Sequence, residues 1–132
     1  MNIAEAIVAH LVADLNVTAL VGTRIYPKLL PQAPAYPSIV LHLISGGTDH
    51  THDGPDGIAE IRYQIDCLGT TLQSATAAAE AVRAALDGYQ GMMAGSGGVL
   101  VDSAFLVDSR DDYDDEMRVF VQGRDYQMMI HP

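Results

Sequence analysis

Apolar residues at the start of the chain recur at four-residue spacing, as Ile3, Ile7, Leu11 and Leu15, with Val8 and Val12 widening the stripe. That period predicts an amphipathic helix from Asn2 to Asn16. Asn2 is suited to accept a first-turn amide, and Glu5 three residues later completes a variant capping box. Gly22, after Leu20 and Val21, is a good stop. A second 3.6-residue stripe runs from Leu72 to Leu86, with Leu72, Ala75, Ala79, Val82 and Leu86 on one face. Its alanines keep that face slim enough to lie closely on a sheet, and Asp87-Gly88 closes it.

Elsewhere the period is two. Ile61, Tyr63, Ile65 and Cys67 alternate with Glu60, Arg62, Gln64 and Asp66, the pattern of a strand with one wet face. Ser38–Ser45 is β-branched and apolar and reads as a strand that pairs with it. The last third reads as two long strands. Val99, Val101, Phe105 and Val107 are expected on one face of the first. On the second, Val119 and Val121 are expected on one face, with Phe120, Tyr126, Met128 and Ile130 on the other.

Between these elements lie segments of other character. Arg24–Pro27 is a short extended piece. Pro27, Pro31, Pro34 and Pro37 exclude a helix and strip donors from any ladder, so this stretch reads as an extended proline-rich arm. Gly46–Gly57 reads as a polar loop, and Gly91–Gly98, with four glycines, as a mobile or tightly turned linker. Asp108–Glu116, with six acids and one arginine, reads as a solvated hairpin tip. The sum is an α+β fold occupying residues 1–132 as one domain. It is expected to hold an antiparallel sheet of about four main strands, two helices on one face, and the proline-rich arm.

Composition narrows the function. Of 132 residues, 48% are hydrophobic, enough for a core without cross-links. Cys67 is the single cysteine, which excludes an intrachain disulfide and points to a reduced environment. No stretch approaches the ~20 apolar residues of a membrane span, and Glu5, His10 and Asp14 interrupt any signal-like start. A cytoplasmic, soluble protein is expected. With 17 acids against 7 bases the net charge is −10, and Lys28 and six scattered arginines form no phosphate-binding patch. An acidic surface is instead suited to letting DNA slide past without binding.

Candidate chemistry is sparse. Asp49-His50-Thr51-His52-Asp53 offers two histidines and flanking carboxylates to a divalent metal. It resembles the H-x-H-x-D-H run of metal-dependent hydrolases, but Gly54 stands where the last histidine belongs. His10, His42 and His131 fall in a helix, a strand and the terminus, so a polar loop is the favoured reading. The acidic run departs from an EF-hand loop, with Arg110 at its third position and Tyr113 at its sixth. Gly95-Ser-Gly-Gly98 lacks the Lys-Ser/Thr of a phosphate loop, and no base is placed to activate Ser96. No catalytic residue, cofactor site or metal site is assigned.

Several segments in order carry a resemblance. They are Leu20-Val-Gly-Thr-Arg-Ile-Tyr26 after a helix, Tyr36-Pro-Ser-Ile-Val40 opening a strand, and Arg62-Tyr-Gln-Ile-Asp66. An alanine-rich helix and the strand from Arg118 to Tyr126 follow. Together they resemble the tail-completion (tail-terminator) proteins of long-tailed phages and prophages. The resemblance implies a ring of six copies that caps the tail tube and joins tail to head. The implied partners are the major tail-tube protein and a head–tail connector protein. The implied location is the virion, at the head–tail junction, after assembly in the host cytoplasm. It implies no catalytic residues, no membrane and no specific nucleic-acid binding, with DNA passing through an acidic lumen. The proline-rich arm and the Gly91–Gly98 linker are the segments expected to touch neighbouring copies. Two other readings stay open: a head-closure or neck adaptor of the same machine, and a metal-dependent hydrolase using His50, His52 and Asp53.

Overall fold

A computed structural model describes residues 2–45 and 58–131. The elements in chain order are α1 (Ile3–Ala13), α2 (Leu15–Val21), β1 (Ile25–Tyr26), β2 (Ser38–Ser45), β3 (Ala59–Gly69), α3 (Leu72–Leu86), β4 (Gly91–Met93), β5 (Val99–Asp114) and β6 (Val119–His131). The six strands form one sheet in the order β1-β2-β3-β6-β5-β4, and only the β1–β2 pair is parallel. The α+β class stands. Among the described residues the sheet has two short edge strands beyond the four long ones expected, and three helices stand where two were expected.

The extra helix comes from a break at Asp14. The Asp14 carboxylate accepts from Asn16 N at 2.9 Å and Val17 N at 3.2 Å, so it caps a new helix and ends the old one. A short acidic side chain that captures nearby amides competes with helix continuation in this way. The two helices bend by 88°. The four-residue stripe therefore holds only to Leu11, and Leu15 is 83% exposed. At the start of α1, the Asn2 side chain accepts from Glu5 N while Glu5 accepts from Asn2 N, the reciprocal cap expected there.

One main core lies between the helices and the sheet. It takes Ala6, Ile7 and Leu11 from α1, Val17 and Val21 from α2, and Ala78, Ala79, Val82 and Leu86 from α3. Ile61, Tyr63, Ile65 and Cys67 of β3 meet them, as the period of two requires. Opposite, Tyr126, Met128 and Ile130 of β6 face the same core, whereas Val119 sits in a second small cluster with Val40 and Leu68. The helix runs from Leu72 to Leu86 as expected, but Leu72 at its first turn is exposed. At the β3–α3 joint a Cβ on Gly69 would lie 2.7 Å from Ala75 N, so only glycine lets the helix turn back this closely.

β5 departs most from its expected pattern. Its pairing with β6 shifts between Val101 and Ser103 and again between Leu106 and Asp108, leaving Asp102 and Val107 as extra residues. Each such bulge flips the side chains that follow. Val99 and Val101 face the core, but so does Ala104, and Phe105 is turned out at 55% exposure. Val107 is also exposed. Two further expectations change. Gly91–Met93 forms β4, followed by a turn, where a linker was expected. The acidic run is strand as far as Asp114, and the turn itself covers only residues 115–118.

The proline-rich segment carries no helix or strand between Tyr26 and Ser38. Leu30 and Tyr36 pack on the small cluster of Val40, Leu68 and Val119, so this stretch lies on its own sheet for part of its length. Arg24 Nε donates to Pro37 O at 2.9 Å and ties its far end to the start of the extended piece.

Candidate interaction surface

The alternation that buries Ile61, Tyr63 and Ile65 turns Arg62, Gln64 and Asp66 to the side away from the helices. Their partners on β6 place Gly123 and Asp125 on that same side, because Asp66 pairs with Gly123 and Gln64 with Asp125. Beyond its second bulge, β5 adds Asp108, Arg110 and Asp112, paired with Asp125, Gly123 and Val121. The result is a charged sheet face built by three strands.

At its centre is Asp125, only 4% exposed. Arg110 Nη2 donates to its Oδ1 at 2.6 Å, and Arg62 holds its Oδ2 through Nε at 3.0 Å and Nη2 at 2.8 Å. Arg110 also donates through Nη1 to Asp108 Oδ2 at 2.9 Å. Burial pushes the Asp125 carboxyl up, but the hydrogen bonds from Arg110 and Arg62 outweigh it and hold the group below its ordinary value. The same hydrogen bond raises Arg110 above its usual value. Gly123 gives the room: a Cβ there would lie 3.0 Å from Asp66 Oδ1 and 3.6 Å from Arg110 Nη2.

Asp66 anchors a second polar group. Gln64 Nε2 donates to its Oδ1 at 2.8 Å, and His42 Nε2 stands 3.4 Å from its Oδ2. Between these groups, a hollow lined by Gln64, Asp66, Arg110, Asp112, Tyr113 and Gly123 opens to solvent. On the helix side of the sheet, Arg124 bonds Gln122 at 2.7 Å and lies 3.5 Å from Asp111.

The expected sites fare as follows. His50, His52 and Asp53 lie outside the described residues. His10 Nε2 meets Ala85 O at 2.9 Å and its ring stacks edge-on against Tyr89, a packing role near the end of α3. His131 pairs with Asp102 at 3.0 Å. Among the described residues no three histidine, cysteine or acidic side chains converge as metal ligands would. Cys67 is fully buried, and burial pushes its thiol up to about 12, which removes the thiolate at neutral pH. Ser96 lies in the exposed turn after β4. The residues that sequence reading missed are Arg62, Arg110 and Asp125, which come together only through strand register. An aspartate within the apolar C-terminal strand was the available signal.

What this face offers is fixed charge and shape. The fold is similar to that of a chain in the structure titled "Virion of native gene transfer agent (GTA) particle", with a TM-score of 0.74 and 19% identity, covering 98% of this chain and 95% of that one. A search of curated proteins gives no match. The family model described as Tail completion protein gp17 matches residues 5–131, from the first turn of α1 to the end of β6. The chain therefore belongs to the Tail completion protein gp17 family, structural proteins of the phage virion tail.

Proposed function

We propose that this protein forms a closed ring on the end of the tail tube, stops the addition of tube subunits and presents the surface to which the head attaches. The observation that carries the reading is the family match, which spans every helix and strand of the fold rather than one segment. The likeness in fold to a chain of a gene transfer agent virion is consistent with it. The ring holds six copies of the chain, and its other partners are the major tail-tube protein and a head–tail connector protein. Closed cyclic symmetry limits growth, because head-to-tail contacts that complete a circle leave no free end. The net charge of −10 suits a lumen through which DNA passes without sticking. The protein acts as a structural part and not as a catalyst. Contacts between neighbours draw on the Pro27–Pro37 segment and on the Gly91–Gly98 segment, whose Met92 is half exposed.

The deciding experiment removes the gene from a phage or prophage that carries it. Electron micrographs of the lysate should show tail tubes of uncontrolled length and heads without tails. Tails of normal length joined to heads would reject the reading. Imaging of the purified protein should show rings.

A further inference from the structure

The two ends of the sheet differ in a way that fits one to the other. β2 is paired by β1 only at Ile39 and Val40, and among the described residues no strand covers its outer edge from Leu41 to Ser45. Leu43 and Ile44 there are 46% and 49% exposed. A cleft of about 470 Å³ runs beside this edge, walled by Ala4, Pro27, Leu41, Leu43 and Tyr63. Among the described residues its charged lining group is Lys28, and it contains no carboxylate, in a chain whose net charge is −10. Lys28 is exposed and has no ion-pair partner among the described residues.

Towards the other end of the sheet, the side of β5 beyond its short pairing with β4 is closed to strand pairing but open to side-chain contact. Gly88 N donates to Ala104 O at 2.7 Å and Leu106 N to Asp87 Oδ1 at 3.0 Å, so the segment after α3 covers the β5 edge just past the β4 pairing. Further along, Asp108 accepts from Ser109 N and Asp112 from Tyr113 N, which engages the amides there. Edges filled and charged in this manner resist sheet extension. The hairpin end, residues 111–118, carries five acids together with exposed Tyr113 and Met117, and Met117 Sδ accepts from Tyr36 of the same chain at 3.6 Å.

We propose that the β5–β6 hairpin end of one copy docks by its side chains in the β2-edge cleft of a neighbouring copy. Its carboxylates face Lys28, and Tyr113 and Met117 lie against Pro27 and Leu43. This inference rests on the ring reading and names its contact. Charge complementarity selects the occupant: the cleft is apolar and cationic, and the hairpin end is apolar and anionic. The chain's own Asp114 and Met117 line a different hollow, which shares Lys28 and His42 with the cleft but otherwise holds Leu29, Leu30, Val40, Asp66, Leu68 and Val121. That leaves the helix-side cleft to another molecule. A contact between two different surfaces is heterologous, the kind that builds rings.

The test uses two single variants, Lys28→Cys and Asp115→Cys, both at exposed positions, with the native Cys67 buried and silent. Equal amounts are mixed, allowed to assemble, and oxidised mildly, while light scattering records the oligomer size. A disulfide-linked heterodimer is expected from this pair and not from Glu80→Cys mixed with Asp115→Cys, since Glu80 is on the outer face of α3. Oligomers of wild-type size with no link between positions 28 and 115 would overturn the proposed contact and leave the ring reading standing. A wild-type protein that stays monomeric, alone and on tube ends, would overturn both.

Discussion

Asp108 and Asp125 stand directly opposite each other on β5 and β6, and the one guanidinium of Arg110 bonds both, at 2.9 and 2.6 Å. Like charges in register destabilise a strand pair. Here the repulsion is offset by Arg110, with Arg62 closing the group from β3. Removing an arginine leaves a nearly buried carboxylate short of a partner. Arg110→Ala should cost about 1–3 kcal/mol of stability, since a hydrogen bond to a buried charged group is lost. Urea unfolding measures this, and an unchanged midpoint would show that the group contributes nothing.

The same group sets a pH dependence. A carboxyl whose pKa is lower in the folded state contributes its stability in full above the unfolded value, near 4, and loses it as pH falls toward the folded value. Stability of the protein should therefore decline below about pH 4. Asp125→Asn should be less stable at neutral pH and show a shallower acid decline, which a series of unfolding curves from pH 2 to pH 7 would display.

Ile65 lies at 1% exposure between β2 and β6 on the helix-covered face. Ile65→Asp should prevent folding, because an unpaired charge buried there has no partner. A soluble Ile65→Asp protein with a native near-ultraviolet spectrum would contradict the register.

Cys67 should resist a thiol reagent such as dithionitrobenzoate at pH 8 in the native protein and react at once in denaturant. Its burial and its pKa near 12 both hold it as the inert thiol. With the folded pKa raised above the unfolded 8.5 or so, its contribution to stability is whole below that pH and declines as pH rises through the interval to about 12.

The double variant His50→Ala with His52→Ala should melt at the wild-type temperature, with or without a chelator. A structural zinc would supply a large part of the folding free energy and its loss would be plain in the melting curve. A marked drop on chelation would revive a metal-dependent role for that segment.

Much of the framework was legible because burial imposes a period. β3 and α3 were readable, with Leu72–Leu86 correct to the residue, since each has one face in the core apart from Leu72. The capping box at Asn2 was readable because capping is local. Asp14 was harder: the apolar stripe runs on to Leu15, and only the competition of one carboxylate for two amides breaks it. The charged face was not legible, because Arg62, Arg110 and Asp125 meet only after register fixes which residues are opposite. The β5 bulges were hidden for a similar reason. Val99, Val101, Phe105 and Val107 keep one parity with Ser103 between them, and nothing local marks Asp102 or Val107 as the extra residues.

Those two bulges give β5 something like a reading frame. Odd-numbered residues face the helices at Val99 and Val101, even-numbered Ala104 does so in the short window between the bulges, and odd numbers regain that side from Ser109 on. The first shift is thus undone by the second. Loss of Val107 alone would remove its bulge and still leave Leu106 opposite Tyr126 and Asp108 opposite Asp125, so Arg110 would keep its side of the sheet. Loss of a paired residue such as Ser109 would instead bring Arg110 opposite Arg124, on the helix side of the sheet and away from Asp125. Length changes in this strand are therefore tolerable at the two bulges and damaging at the paired positions between and beyond them, so the strand register is as much a determinant of the charged face as the arginines themselves.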